Sequence, residues 1–105
     1  MKIAKEKILQ FAKDRDWEQF HTPENLAKSI SIESAELLEC FQWNENFEHD
    51  KVVDELADIV NYCVLLASKL DVDLEDIVLN KLKKNELKYP VDKAKGNSDK
   101  YTKLK

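Results

Sequence analysis

A single glycine and two prolines punctuate this 105-residue chain. That leaves little material for hairpins, tight turns or glycine-rich phosphate loops, and it favours long helices. The expectation is one small all-α domain, with a core so modest that subunits sharing it would help. Charged residues make up 36% of the chain and hydrophobic residues 43%. The net charge of −4 is unevenly spread, because residues 91–105 hold five Lys against two Asp. The first ninety residues are therefore strongly acidic. Such a body does not invite a nucleic-acid polymer, whose backbone is bound by clustered Lys and Arg. It can invite cations.

Helical spacing divides the chain. Ile3, Ile8, Phe11 and Ala12 predict a first helix over about Lys2 to Asp14. Thr22 and Pro23 form an N-cap and first-position pair that opens a second helix, expected to run to about Trp43. The polar stretch Asn44 to Asp50 separates it from a third helix over Lys51 to Leu70. Asp73, with Asp76 three residues on, opens a fourth that closes before Pro90. The expected domain is 1–90. Residues 91–105, with Gly96, Asn97 and Ser98, are expected to form a Lys-rich tail that is mobile or packed on a neighbouring subunit. On the third helix Ile59, Cys63, Leu66 and Leu70 share one face, and Val53, Val60, Val64 and Ala67 another about 100° away. A surface apolar on two sides predicts burial against a second copy, in a homodimer or higher oligomer.

Cys40 and Cys63 lack CxxC spacing and read as reduced core thiols. No apolar run is long enough to span a bilayer, and MKIAKEKILQFAK lacks the unbroken apolar stretch of a signal peptide. The expectation is a cytoplasmic protein that does not engage membranes.

Two acidic pairs carry the chemistry. With Glu33 at the zero of the helical wheel, Leu26, Leu37 and Ile30 fall at roughly 20°, 40° and 60°, and Glu36 lies at the border of that apolar stripe. On the third helix Glu55 repeats the arrangement beside Leu66, Ile59 and Val52, with Asp58 at the border. Carboxylates facing a core are costly unless they are paired or hold a metal. Each pair is spaced by three and so shares a helix face. Four converging carboxylates are hard oxygen ligands suited to Mg²⁺ or Mn²⁺. Glu39 falls off the stripe and reads as solvated or as a support behind the metal ligands. His21 and His49 do not stand in the Glu-x-x-His spacing of di-iron bundles.

Lys81, Asn85 and Lys88 follow i, i+4, i+7 on the stripe begun by Leu74, Ile77 and Val78, where two cations and an amide can meet phosphate oxygens. Trp17, Phe20 and His21 precede the second helix, Phe41 and Trp43 end it, and Tyr62 lies one turn beyond Asp58. Flat side chains near such a site can stack a nucleobase.

RDWEQFHTPENLA, ESAELLECFQW, DELADIVNY and KLKKNELKYP occur in this order. Together they resemble the successive signatures of the all-α nucleotide pyrophosphohydrolases, the MazG-like superfamily, and most closely its dCTP pyrophosphatase group. The resemblance covers roughly Phe11 to Pro90. It implies an oligomeric four-helix bundle and a Mg²⁺-dependent hydrolysis of a nucleoside triphosphate to monophosphate and pyrophosphate. It implies metal ligation by Glu33, Glu36, Glu55 and Asp58, with Glu33 or Glu36 taking the proton of the attacking water. Phosphate contacts are implied for Lys81, Asn85, Lys88 and Tyr89, and a base pocket for Trp17, His21, Trp43 and Tyr62. Relatives assemble as dimers or dimers of dimers. Two positions depart from the pattern: Ile32 and Ala35 stand where many relatives carry glycine, and Lys88 where arginine is usual before Tyr-Pro. The leading expectation is a nucleotide-pool house-cleaning enzyme for dCTP or a modified pyrimidine deoxynucleotide. The alternatives are the same fold acting on dUTP, a phosphoribosyl-ATP-like compound or other nucleoside triphosphates, or a catalytically silent helical interaction module.

Overall fold

The computed structural model describes residues 2–43 and 46–104, all helix and turn with no strand among them. Expectations that fall on residues 44–45, or on the side chain of Ile3, lie outside the described part. The chain forms two compact units, residues 1–73 and 74–105. The division therefore falls before the fourth helix, and residues 91–104 belong with that helix.

The first unit holds α1 (Lys2–Asp14), α2 (Pro23–Glu39) and α3 (His49–Lys69). Helix α3 packs against both others. Leu26 is fully buried, and Ala12, Val64 and Ala67 are nearly so. These residues are the core among the described side chains.

With almost no glycine available, α1 and α3 end by the same device. Asp16 and Asp71 adopt the left-handed conformation, with φ of 57° and 56°. After α1, the amide of Trp17 donates to Ala12 O (3.0 Å) and that of Asp16 to Lys13 O (3.0 Å). After α3, Val72 donates to Ala67 O (3.0 Å) and Asp71 to Ser68 O (3.1 Å). Both are Schellman motifs in which aspartate stands in for the usual glycine. The hydrophobic contact that accompanies the first is an edge-on pairing of Trp17 with Phe11, ring centroids 5.6 Å apart.

Helix α2 opens as expected, the Asn25 amide donating to Thr22 Oγ1 at 3.1 Å with Pro23 in the first turn. It ends at Glu39 rather than near Trp43. The amides of Cys40, Phe41 and Gln42 each reach back three residues instead of four, so the chain tightens out of the helix before its aromatic residues.

The second unit holds α4 (Leu74–Lys88), the short α5 (Val91–Ala94) and a 3₁₀ turn at Tyr101–Lys103. Tyr101 packs edge-on against Tyr89 (6.2 Å), and the Lys88 ammonium lies 4.8 Å from the Tyr101 ring centroid. An aromatic near each end of the segment gives it something to fold against.

The two-faced third helix is only half covered within the chain. Val64 and Ala67 are buried, whereas Val53 and Val60, on the same face, are 46% and 36% exposed.

Candidate active site

Glu33 lies on α2 and Glu55 and Asp58 on α3, and one oxygen from each falls within 4.8 Å of the other two. Glu33 and Glu55 are half-buried and Asp58 is exposed. Oε2 of Glu33 and Oε2 of Glu55 are buried without a hydrogen-bond partner. Orphaned carboxylate oxygens of this kind are costly.

The electrostatics agree. Burial, together with the adjoining Glu36 and Glu55 carboxyls and the charge of Asp58, pushes Glu33 up to about 7. Burial, with Glu36 and Asp58 nearby, also raises Glu55. Glu36 is exposed and lies outside the group of three, yet its carboxyl acts on both Glu33 and Glu55. The residues fit a hard divalent cation: the donors are all oxygen, two are buried and unpartnered, and mutual repulsion calls for positive charge.

Beside this cluster opens a cavity of about 490 Å³. Its α1 wall is Lys7, Ile8, Phe11 and Ala12. Its α3 wall is Asp58, Asn61, Tyr62 and Leu65, one face at i, i+3, i+4 and i+7. Trp17 and His21 close it from the connection between α1 and α2, and Glu33 borders it.

That connection is fixed by main-chain anchors. The Asn25 side-chain amide donates to Phe20 O (3.0 Å), and Lys69 Nζ to Glu18 O (3.4 Å). His21 stands edge-on to Trp17, centroids 6.5 Å apart. Burial, reinforced by the Lys69 ammonium, lowers the His21 imidazole below its usual value, so the ring is neutral at pH 7 with one donor and one acceptor.

The structure thus gathers Trp17, His21 and Tyr62 around one cavity bordered by two of the acids. Trp43 is not among the lining residues and is 88% exposed. Lys81, Asn85, Lys88 and Tyr89 lie in the second unit, where the Tyr89 amide donates to Asn85 O at 2.8 Å and Lys88 rests on Tyr101. Sequence reasoning missed Lys7, Phe11 and Asn61. For Asn61 the signal was present, because it sits three residues beyond Asp58 on the same helix face.

The sequence pattern of the MazG-like family matches residues 28–104. The dCTP pyrophosphatase 1 of Mus musculus is 39% identical and that of Homo sapiens 40%, each over 90% of this chain and 62% of its own length. The chain therefore spans less than two thirds of these curated relatives. A crystal structure of a pyrophosphatase from Archaeoglobus fulgidus DSM 4304 superposes with a TM-score of 0.76 at 38% identity, covering 86% of this chain and 92% of that one. The acids at helical spacing, the aromatic cavity beside them and these likenesses agree: the chain belongs to the MazG-like family.

Proposed function

We propose that this chain is a metal-dependent nucleoside triphosphate pyrophosphohydrolase acting on dCTP or a modified pyrimidine deoxynucleotide. The observation that carries the reading is the convergence of Glu33, Glu55 and Asp58, with two buried unpartnered oxygens, at the border of an aromatic cavity of nucleoside size. Relatives named dCTP pyrophosphatase and a solved pyrophosphatase support the substrate and the bond broken.

Glu33, Glu36, Glu55 and Asp58 would hold Mg²⁺, or Mn²⁺ in its place. When bound, the cation supplies neutralisation of the triphosphate oxygens and of the charge that builds on departing pyrophosphate. The chain's own residues do the rest. Trp17 and Tyr62 flank the base, and His21, neutral, offers it a hydrogen bond without adding charge. Water adds to the α-phosphorus as the bridging bond to the β-phosphate breaks, and Glu36 or Glu33 takes the proton that the water gives up. Lys81, Asn85, Lys88 and Tyr89 are assigned to the phosphates on the strength of their i, i+4, i+7 spacing and adjacency on α4.

The working form in this reading is a homodimer or dimer of dimers. Support comes from the unburied Val53, Leu56 and Val60 on α3. No described helix is long and apolar enough to cross a membrane. A cytoplasmic location is part of the proposal and rests on the free thiols of Cys40 and Cys63.

The test is a panel of deoxynucleoside and nucleoside triphosphates with Mg²⁺, in which pyrophosphate and orthophosphate are measured separately. The expected result is pyrophosphate release that is strongest with pyrimidine deoxynucleotides and abolished by Glu36→Gln or Asp58→Asn. Stepwise orthophosphate would mean a different bond is cut. No turnover across the panel would leave a silent helical module.

A further inference from the structure

The aromatic walls of the cavity explain stacking, which every base accepts. They do not explain how one base would be chosen. That choice needs a polar group facing the edge of the base, and the α3 wall presents one: Asn61, between Asp58 and Leu65 on the cavity face.

Asparagine is a poor helix former, and Asn61 sits deep inside the 21-residue α3, far from either cap. Its carboxamide makes no hydrogen bond among the described residues, and the residue is exposed and lines the cavity. Other polar groups around the cavity have narrower chemistry. Lys7 only donates and a carboxylate only accepts, while the donor and acceptor of a neutral His21 point to opposite sides of its ring. On the α3 wall, the carboxamide sets a donor and an acceptor side by side in one plane. Cytosine carries the complement, an acceptor at N3 beside a donor amino group at C4.

We propose that Asn61 is a specificity-determining residue that pairs with the N3 and C4 edge of a pyrimidine base held against Trp17 and Tyr62. The inference rests on the hydrolase reading above and deepens it. It makes base selection an act of α3, three residues from the acid Asp58, so that one rigid helix registers the base against the reacting phosphate.

The experiment compares dCTP with a base-less analogue, 1,2-dideoxyribose 5-triphosphate, in the full-length wild-type protein and in Asn61→Leu. A bidentate edge contact predicts that kcat/KM for dCTP falls about 10- to 100-fold relative to that for the base-less analogue. An equal fall with both substrates would overturn the proposal, since the residue would then serve the metal or the fold. No fall with either would also overturn it. A second arm needs no variant. Wild-type protein given 3-methyl-dCTP, whose N3 edge is blocked, is expected to lose a comparable share of kcat/KM, and undiminished turnover would overturn the proposal even if Asn61→Leu does not fold. Wild-type protein that hydrolyses neither dCTP nor the base-less analogue would instead sink the hydrolase reading, and this inference with it.

Discussion

Glu33 carries more of the site's electrostatic cost than any other side chain, and the consequence is a definite pH dependence. Its carboxyl is held at about 7, well above an ordinary glutamate, chiefly by burial and then by its acidic neighbours. The folded protein therefore keeps a proton that the unfolded chain has already released. Between about pH 4.5 and 7, stability must fall as pH rises, the reverse of a salt-bridged carboxylate. Melting curves of metal-free protein are expected to show a Tm several degrees lower at pH 8 than at pH 5.5, with added Mg²⁺ or Mn²⁺ recovering most of the loss at pH 8 and little at pH 5.5. A flat profile would mean that Glu33 and Glu55 do not share a buried site. Glu33→Gln should remove the repulsion and raise the metal-free Tm at pH 8 by the equivalent of about 1 kcal/mol. It should also abolish stabilisation by metal and cut pyrophosphate release by roughly 100-fold or more. Glu33 and Glu55 were legible from sequence because an acid on an apolar stripe is anomalous along a single helix. Lys7 was not, because an exposed polar side chain on a helix is ordinary until a second element faces it, and Asn61 was marked only by its spacing of three from Asp58.

At the scale of elements, the two Schellman ends show how a chain nearly free of glycine still stops its helices. The first has a functional consequence: the left-handed turn at Asp16 swings Trp17 back over Phe11 and onto the cavity. An L-residue in that conformation costs roughly 1 kcal/mol. Asp16→Gly is therefore expected to stabilise the protein by about 0.5–1 kcal/mol, less whatever the Gln19 side chain loses from its 3.2 Å bond to Asp16 Oδ2. Asp16→Val should do the opposite, lowering Tm in chemical or thermal unfolding and raising KM for nucleotide through a displaced Trp17. Equal stability of the two variants would show that the turn is not strained. The beginnings of helices were easier to read than their ends. Thr22-Pro23 is a start signal with a single meaning, whereas CFQW carries apolar residues that continue the helical period beyond Glu39. The division at residue 73 left no mark of proline or glycine at all.

At the scale of the whole molecule, the decisive quantity is apolar surface left over. Val53, Leu56 and Val60 recur at i, i+3, i+7 on α3 and remain 46%, 53% and 36% exposed. They continue the face whose C-terminal half, Val64 and Ala67, is buried within the chain. In the proposed oligomer, a face that is core at one end and bare at the other is completed by a second copy. Covering a Leu or Val side chain contributes about 1.5–3 kcal/mol, and each copy in a symmetric pair would bury its own set. The acids Glu55 and Asp58 stand on this same stretch of α3, so whatever covers Leu56 also stiffens the backbone that holds them. The protein is therefore expected to sediment and scatter light as a dimer or tetramer, with a Tm that rises with protein concentration. Leu56→Lys together with Val60→Lys should give a monomer of lower Tm, with metal affinity weakened although no acid has been touched. If the wild-type protein runs as a monomer at all concentrations, the exposed face has another role. If the double variant is monomeric but binds metal as before, the site is complete within one chain.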